Sequence, residues 1–144
     1  MASPISKTEY ETLATFRYAL RQFMRFSETA AREAGITPKQ HQALLAIAGF
    51  PNRDQIMMSE LAERLQVRHH TTVELIDRLA AQDLVVREPG MEDRRQVYVS
   101  LTEQGKEVLA RLTATHREEL RRVGPQLNLL LDQLSAIGEP DAPG

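Results

Sequence analysis

The strongest constraint on the fold is a tight junction near the middle of the chain. Ser59 can cap a short helix over Glu60 to Leu65, with Leu61, Ala62 and Leu65 on one face. Gln66 to Arg68 then separate it from a second helical pattern that reaches Gln82. In that pattern Thr72, Leu75, Ile76 and Leu79 recur at the i, i+3, i+4, i+7 spacing of a single buried stripe. Two short amphipathic helices with so few residues between them predict a helix-turn-helix.

Two strand-like runs follow. Leu84 to Glu88 is rich in branched residues. Gln96 to Leu101 alternates, with Val97, Val99 and Leu101 on one side and Gln96, Tyr98 and Ser100 on the other. The polar stretch Pro89 to Arg95 lies between them as the tip of a hairpin. A hairpin directly after a helix-turn-helix is a wing.

The flanks read as helices. From about Lys7 to Ala34, Leu13, Phe16, Leu20 and Phe23 share one helical face, widened by Tyr10 and Met24. Arg17, Arg21 and Arg25 form a basic ridge beside it, and Gly35 supplies the stop. Thr37, Pro38 and Gln40 have the spacing of a capping box for a second helix through Ala43, Leu44, Ile47 and Ala48. The stretch Gly49 to Asp54 reads as a turn-rich connection. Thr102 can cap a helix through Leu109, Leu112 and Leu120 to Val123, where Gly124-Pro125 is expected to break it. A last helix, Gln126 to about Ile137, carries Leu127, Leu130, Leu131 and Leu134, and Gly138 to Gly144 reads as a frayed tail.

Composition removes several function classes. The 144 residues suit one domain carrying extra helices, and 42% hydrophobic content is enough for a core. With no cysteine, disulfides, thiolate zinc sites and thiol redox sensing are excluded. No apolar run approaches the roughly 20 residues of a spanning helix, and the N-terminus has no apolar signal core, so the expectation is a cytoplasmic protein without a membrane partner. The net charge is −2, and residues 59–101 carry six basic against eight acidic residues. Any nucleic-acid binding therefore depends on a few placed contacts and not on a bulk positive field.

Four segments in order, GITPKQHQALLAI, MSELAERLQV, TTVELIDRLAAQDLVVR and EDRRQVYVSLTEQG, give the chain a pattern that resembles the MarR family of bacterial transcriptional regulators. The resemblance implies a mainly α fold with a small β-hairpin wing, a winged helix-turn-helix over residues 37–101, and dimerisation helices over 1–36 and 102–144. It also implies a symmetric homodimer that binds a palindromic double-stranded DNA operator and usually represses nearby genes. The apolar stripes agree with a dimer. Leu13, Phe16 and Leu20, with Leu127, Leu130, Leu131 and Leu134, exceed what a winged-helix core of about 70 residues can cover, and a twofold partner is the common solution.

The N-terminal end of such a recognition helix enters the major groove. Candidate DNA contacts are Arg68, His69, His70, Thr71, Val73, Glu74, Asp77 and Arg78. His70 and Thr71 can donate to phosphates or base edges, Val73 can meet a thymine methyl, and Glu74 can accept from a cytosine amino group. Arg68 stands where the family suits a small capping residue, and it cannot cap. Arg94 and Arg95 at the wing are placed for the minor groove. In the family the second of these arginines meets the recognition-helix acid, so the resemblance implies an Arg95–Asp77 pair.

The resemblance further implies a small aromatic or anionic effector between the dimer helices and the DNA-binding lobe. Arg17, Arg21 and Arg25, with His41, are the candidate ligands, although arginines on a first helix equally serve as solvent-facing or inter-subunit charges. His41, His69, His70 and His116 show no dense metal-ligand spacing even with Glu33, Glu118 and Glu119 nearby, so neither a metal nor a cofactor is expected. No nucleophile elbow, zincin motif or phosphate loop is present, which argues against an enzyme, and Gly105-Lys106 is an isolated pair. The alternative to a DNA-binding repressor is a winged-helix protein-interaction module without DNA affinity.

Overall fold

The computed structural model describes residues 4–137. Its first helix, α1 (Lys7–Glu33), ends as its glycine directs. Gly35 takes φ +86°, where side chains other than hydrogen are strained, and the amides of Gly35 and Ile36 donate to the carbonyls of Arg32 and Ala31 at 3.0 and 3.1 Å. α2 (Pro38–Ala48) opens with the expected capping box. The Gln40 amide donates to Thr37 Oγ1 at 3.1 Å, and the Thr37 amide donates to Gln40 Oε1 at 2.9 Å.

A three-residue strand, β1 (Gln55–Met57), follows the Gly49–Asp54 turn. Periodicity could not reveal it, because three residues carry no repeat. What fixes it is pairing: Gln55, Ile56 and Met57 oppose Ser100, Val99 and Tyr98 of β3 (Val97–Leu101), and Ile56 is fully buried. β2 (Val85–Pro89) pairs along the other edge of β3, from Val85 opposite Leu101 to Pro89 opposite Val97. The sheet is therefore antiparallel, in the order β1-β3-β2.

α3 (Met58–Leu65) starts before the expected Ser59 cap, and Ser59 lies inside it. Glu60 explains the difference. Its carboxylate reaches back one turn and accepts the Met57 amide at 2.9 Å, so Met57 serves as the N-cap with no hydroxyl involved. Arg53 Nη2 also donates to Glu60 at 2.5 Å. Burial raises the Glu60 pKa, but the hydrogen bonds from Arg53 and Met57, with the charges of Arg53 and Arg64, outweigh it and hold the carboxyl below its ordinary value. A depressed carboxyl stabilises the fold above its unfolded pKa and loses that contribution as pH falls through the folded one. Glu60→Gln should therefore be less stable than the parent at pH 7, by less than about 1 kcal/mol. The gap should close as pH falls below the carboxylate range. Urea melts at several pH values measure it, and a gap independent of pH would remove the charge argument.

α4 (His69–Ala81) and α5 (Glu103–Ala136) complete the order. α5 corrects the expected break at Gly124-Pro125, since it runs through Pro125 as one helix. Proline costs one backbone hydrogen bond, and part of its steric penalty falls on the Cβ of the preceding residue. Here that residue is glycine, which has none. The tail from Gly138 lies outside the described residues.

The chain divides into two compact units, one formed up to Thr29 and from Thr115 onward, the other Ala30–Ala114. The second unit holds the main core. Leu44, Ile47, Ile56, Leu61, Ile76, Leu79, Val85 and Val99 are all fully buried. Burying each contributes roughly 1.5–3 kcal/mol relative to leaving it exposed. Thr102 ties the start of α5 to this core: its hydroxyl accepts the Gly105 amide at 3.0 Å and donates to the Asp83 carbonyl at 2.5 Å. Gly105 has a structural role that its sequence context hid. A Cβ there would lie 2.1 Å from the Leu84 carbonyl oxygen, so only glycine permits this approach.

In the terminal-helix unit, Leu130 is buried at 7% exposure. It already packs within one chain, contrary to the expectation that it awaits a partner. Leu127 and Leu134 are half-buried, as are Phe16 and Leu20, while Leu13 and Leu131 are exposed. His116 is half-buried and not simply solvated. Its Nε2 lies 2.8 Å from Ser27 Oγ, and the rings of Phe23 and Phe26 meet it edge-on at 6.0 and 5.5 Å between centroids.

Candidate nucleic-acid interface

The site is built on α4. Gln66 adopts φ 56°, which turns the chain after α3, and the Val67 amide donates to the Ala62 carbonyl at 3.1 Å. Arg68 occupies the N-cap position with no side-chain capping bond, as its chemistry requires. The Thr72 hydroxyl, one turn on, donates to the Arg68 carbonyl at 3.1 Å. Thr72, Ile76 and Leu79 are buried and anchor the inner face of α4 to the core.

That anchoring fixes what the outer face presents. Arg68, His69, His70, Glu74, Asp77 and Arg78 are exposed. Thr71 and Val73 are half-buried, and Val73 packs against the core, so it offers less surface to a groove than the other candidates. Arg94 and Arg95 are exposed on the β2–β3 connection.

The ion pairs differ from those the resemblance implies. Asp77 is held by Arg87 of β2, and Arg95 is held by Asp93. The Arg95 amide and Nε donate to Asp93 Oδ1 at 3.0 and 3.2 Å. These side-chain and backbone hydrogen bonds from Arg95 hold the Asp93 carboxyl below its ordinary value. The reason is local. Asp93 is two residues from Arg95 and closes a small ring, whereas Arg87 lies on the strand packed against α4 and reaches Asp77 directly. The Arg95 side chain is 92% exposed, so its partner does not bury it.

Arg87 carries no turn, cap or periodic signal, and only the packing of β2 on α4 reveals its role. A double-mutant cycle tests the pairing. Asp77→Asn and Arg87→Gln should couple by about 0.2–1 kcal/mol in thermal melts, the range for exposed pairs. Asp77→Asn and Arg95→Gln should be additive. Coupling between Asp77 and Arg95 alone would restore the pair that the resemblance implies.

The candidate effector residues fare differently. Arg17, Arg21 and Arg25 are exposed on α1. Arg25 lines a cleft of about 610 Å³ with Phe23, Phe26, Glu119 and Arg122, but Arg17 and Arg21 do not. Arg122 Nη2 donates to Glu119 at 2.5 Å, and that hydrogen bond raises the arginine's pKa. His41 is buried at 3% exposure, which removes it from any open ligand surface. Among the described residues no cluster of three or more His, Cys, Asp or Glu could hold a metal ion, and no helix is long and apolar enough to cross a membrane.

Comparison with known proteins accounts for this arrangement. Residues 34–96, from the end of α1 to the wing, match the family model described as MarR family. The chain is 35% identical over 80 residues to the HTH-type transcriptional repressor MdtR of Bacillus subtilis, an alignment covering 53% of this chain and 50% of that protein. The chain thus spans about half the length of this curated relative. Among solved structures it resembles AbsC, a MarR family transcriptional regulator from Streptomyces coelicolor, with a TM-score of 0.71 and 25% identity over 83% of this chain and 80% of that one. The S. aureus MepR–DNA complex shares the fold with a TM-score of 0.70 at 19% identity, over 92% of this chain and 93% of that one. Over residues 34–96 the winged helix-turn-helix of α3, α4 and the β2–β3 hairpin, matched in sequence and in fold, is that of the MarR family.

Proposed function

We propose that the protein is a sequence-specific DNA-binding transcriptional regulator, a repressor that reads a palindromic operator as a homodimer. One observation carries this reading: α4 is anchored by a buried inner face while its outer face, and the wing arginines in the same unit, stand in solvent. Each protomer places residues 69–78 in a major groove and Arg94 and Arg95 in the neighbouring minor groove. Arg68, His69, His70, Thr71 and Arg78 contact phosphates or base edges, and Val73 and Glu74 read bases. Asp77 acts through Arg87, fixing wing to helix. Half-sites lie about one helical turn apart, roughly 34 Å. The relatives named above support it, one by its description as a repressor and one by its complex with DNA.

Dimerisation is assigned to residues 1–36 and 102–144, and DNA reading to 37–101. Tyr10, Leu13, Tyr18, Met24, Leu120, Leu129 and Leu131, all large and apolar, are exposed on the terminal helices, the kind of surface that marks a protein interface. Leu13→Glu with Leu131→Glu should give monomers in analytical ultracentrifugation with helical content retained. A dimer that survives both changes would place the interface elsewhere. A small aromatic or anionic effector, met by Arg25 at its cleft, releases DNA by favouring another spacing of the two recognition helices.

The experiment is a fluorescence titration against the DNA upstream of the protein's own gene, across salt. Sequence-preferring binding that weakens steeply with salt is expected. Neither preference nor salt slope would favour the protein-interaction module, which the acidic balance of residues 59–101 otherwise suits.

A further inference from the structure

We propose that His69 and His70 make DNA binding proton-linked: the pair takes up protons as α4 meets phosphates, so the grip on the operator tightens as pH falls. The inference rests on the DNA-reading function proposed above and adds a control to it.

The fold holds both rings in solvent on a fixed backbone. His69 and His70 directly follow Arg68, the N-cap of α4, and both are exposed. Thr72 beside them is fully buried, and its hydroxyl bond to the Arg68 carbonyl at 3.1 Å pins the helix start. The first amides of a helix lack carbonyl partners within it. A phosphate at this end therefore meets backbone donors and two imidazoles together.

Charge gives the effect its size. Histidine is the one side chain whose ordinary pKa, about 6.5, lets it change charge in the physiological range. Residues 59–101 hold six basic and eight acidic side chains, and His69 and His70 are the only histidines among them. Protonating both rings cancels that acidic excess, and does so at the end of α4 assigned to the groove. The other histidines present no ring there. His41 is buried, and His116, in the terminal-helix unit, packs against Ser27, Phe23 and Phe26.

Few charged groups surround the pair. Arg68 precedes it, and Glu74 lies one turn after His70. From α3, Glu63 lines a cleft with Arg68 and His69, and it accepts Gln66 Nε2 at 3.0 Å. The elements α2 and β2 meet α4 farther along, where Gln40 bonds Gln82 and Arg87 pairs with Asp77. In the free protein Arg68 and the positive helix end oppose the two glutamates. A duplex adds only negative charge, which favours the imidazolium form. The complex thus holds its protons more tightly than the free chain. Its extra affinity is fully present at acid pH and is lost as pH rises through the range where the bound rings deprotonate.

Fluorescence titrations of the full chain against the DNA upstream of its own gene, at about pH 6, 7 and 8 and fixed salt, test this. From about pH 8 to 6 affinity should rise by about tenfold or more, the gain when complex formation favours each charged ring by about one pKa unit. The salt slope should steepen over the same range by roughly one to two, since each newly charged ring releases about 0.9 of a counterion. The double variant His69→Gln, His70→Gln should match the parent at the alkaline end and show no rise at the acid end. Its thermal melts should match the parent at each pH, because both positions are exposed. A parent whose affinity ignores pH, or a double variant that keeps the rise, overturns the inference. DNA binding that ignores pH leaves the proposed function standing. No sequence-preferring binding at any pH removes both readings.

Discussion

Exchanging Arg94 and Arg95 together for alanine is expected to lower operator affinity by at least about tenfold while leaving fold and oligomeric state intact. Removing one arginine from a DNA interface costs roughly 1–3 kcal/mol. Both side chains are exposed on the β2–β3 connection, so truncation leaves no buried cavity. Arg95 gives up its pair with Asp93, but an exposed pair is worth little in the free protein. The salt slope of binding should also shrink by roughly one for each phosphate that the variant no longer neutralises. Asp93→Asn provides a second test. It frees Arg95 from its tether and removes a negative charge from the wing, so affinity should rise or hold. Titrations at three salt concentrations, with melting curves for each variant, decide the matter. Unchanged affinity in the double variant would sink the wing assignment.

Gly105→Val should produce the largest loss of stability of any single change considered. The added Cβ would stand 2.1 Å from the Leu84 carbonyl oxygen and 3.1 Å from its carbon, and both are backbone atoms that no rotamer change can move aside. The same carbonyl accepts the Thr102 amide at 3.1 Å, so retreat of the strand entrance breaks that hydrogen bond as well. Overpacking of this kind costs about 1–3 kcal/mol and occasionally more. For a chain of this size that is a fall in melting temperature of roughly 5 °C or greater. A melting temperature within about 1 °C of the parent would show that α5 is not seated on Leu84 as described.

Much of this fold could be read from local chemistry. The capping box at Thr37 and Gln40, the glycine stop at Gly35 and the Thr102 cap each depend on a few residues within one turn, and all three form. The buried stripe of α4 also follows from spacing, since core packing and helical period agree there. Three of the departures have a common cause. Ser59, β1 and the partner of Asp77 were settled by groups distant in sequence or by competing partners, and Pro125 by the residue directly before it. Glu60 displaced Ser59 at the helix start, β3 created β1, Gly124 let the helix pass through Pro125, and β2 brought Arg87 to Asp77.

The amino-acid order by itself determined the succession of helices and hairpin, and which side chains of α4 turn inward. Those depend on periods of 3.6 and 2 residues and on caps that close within a turn. Only the tertiary structure decided which acid meets which arginine, that Leu130 is buried inside its own chain, and that Glu63 and His69 share one cleft. A hydrogen bond or a cavity needs atoms from several elements at fixed distances, and no window along a single strand of sequence contains them.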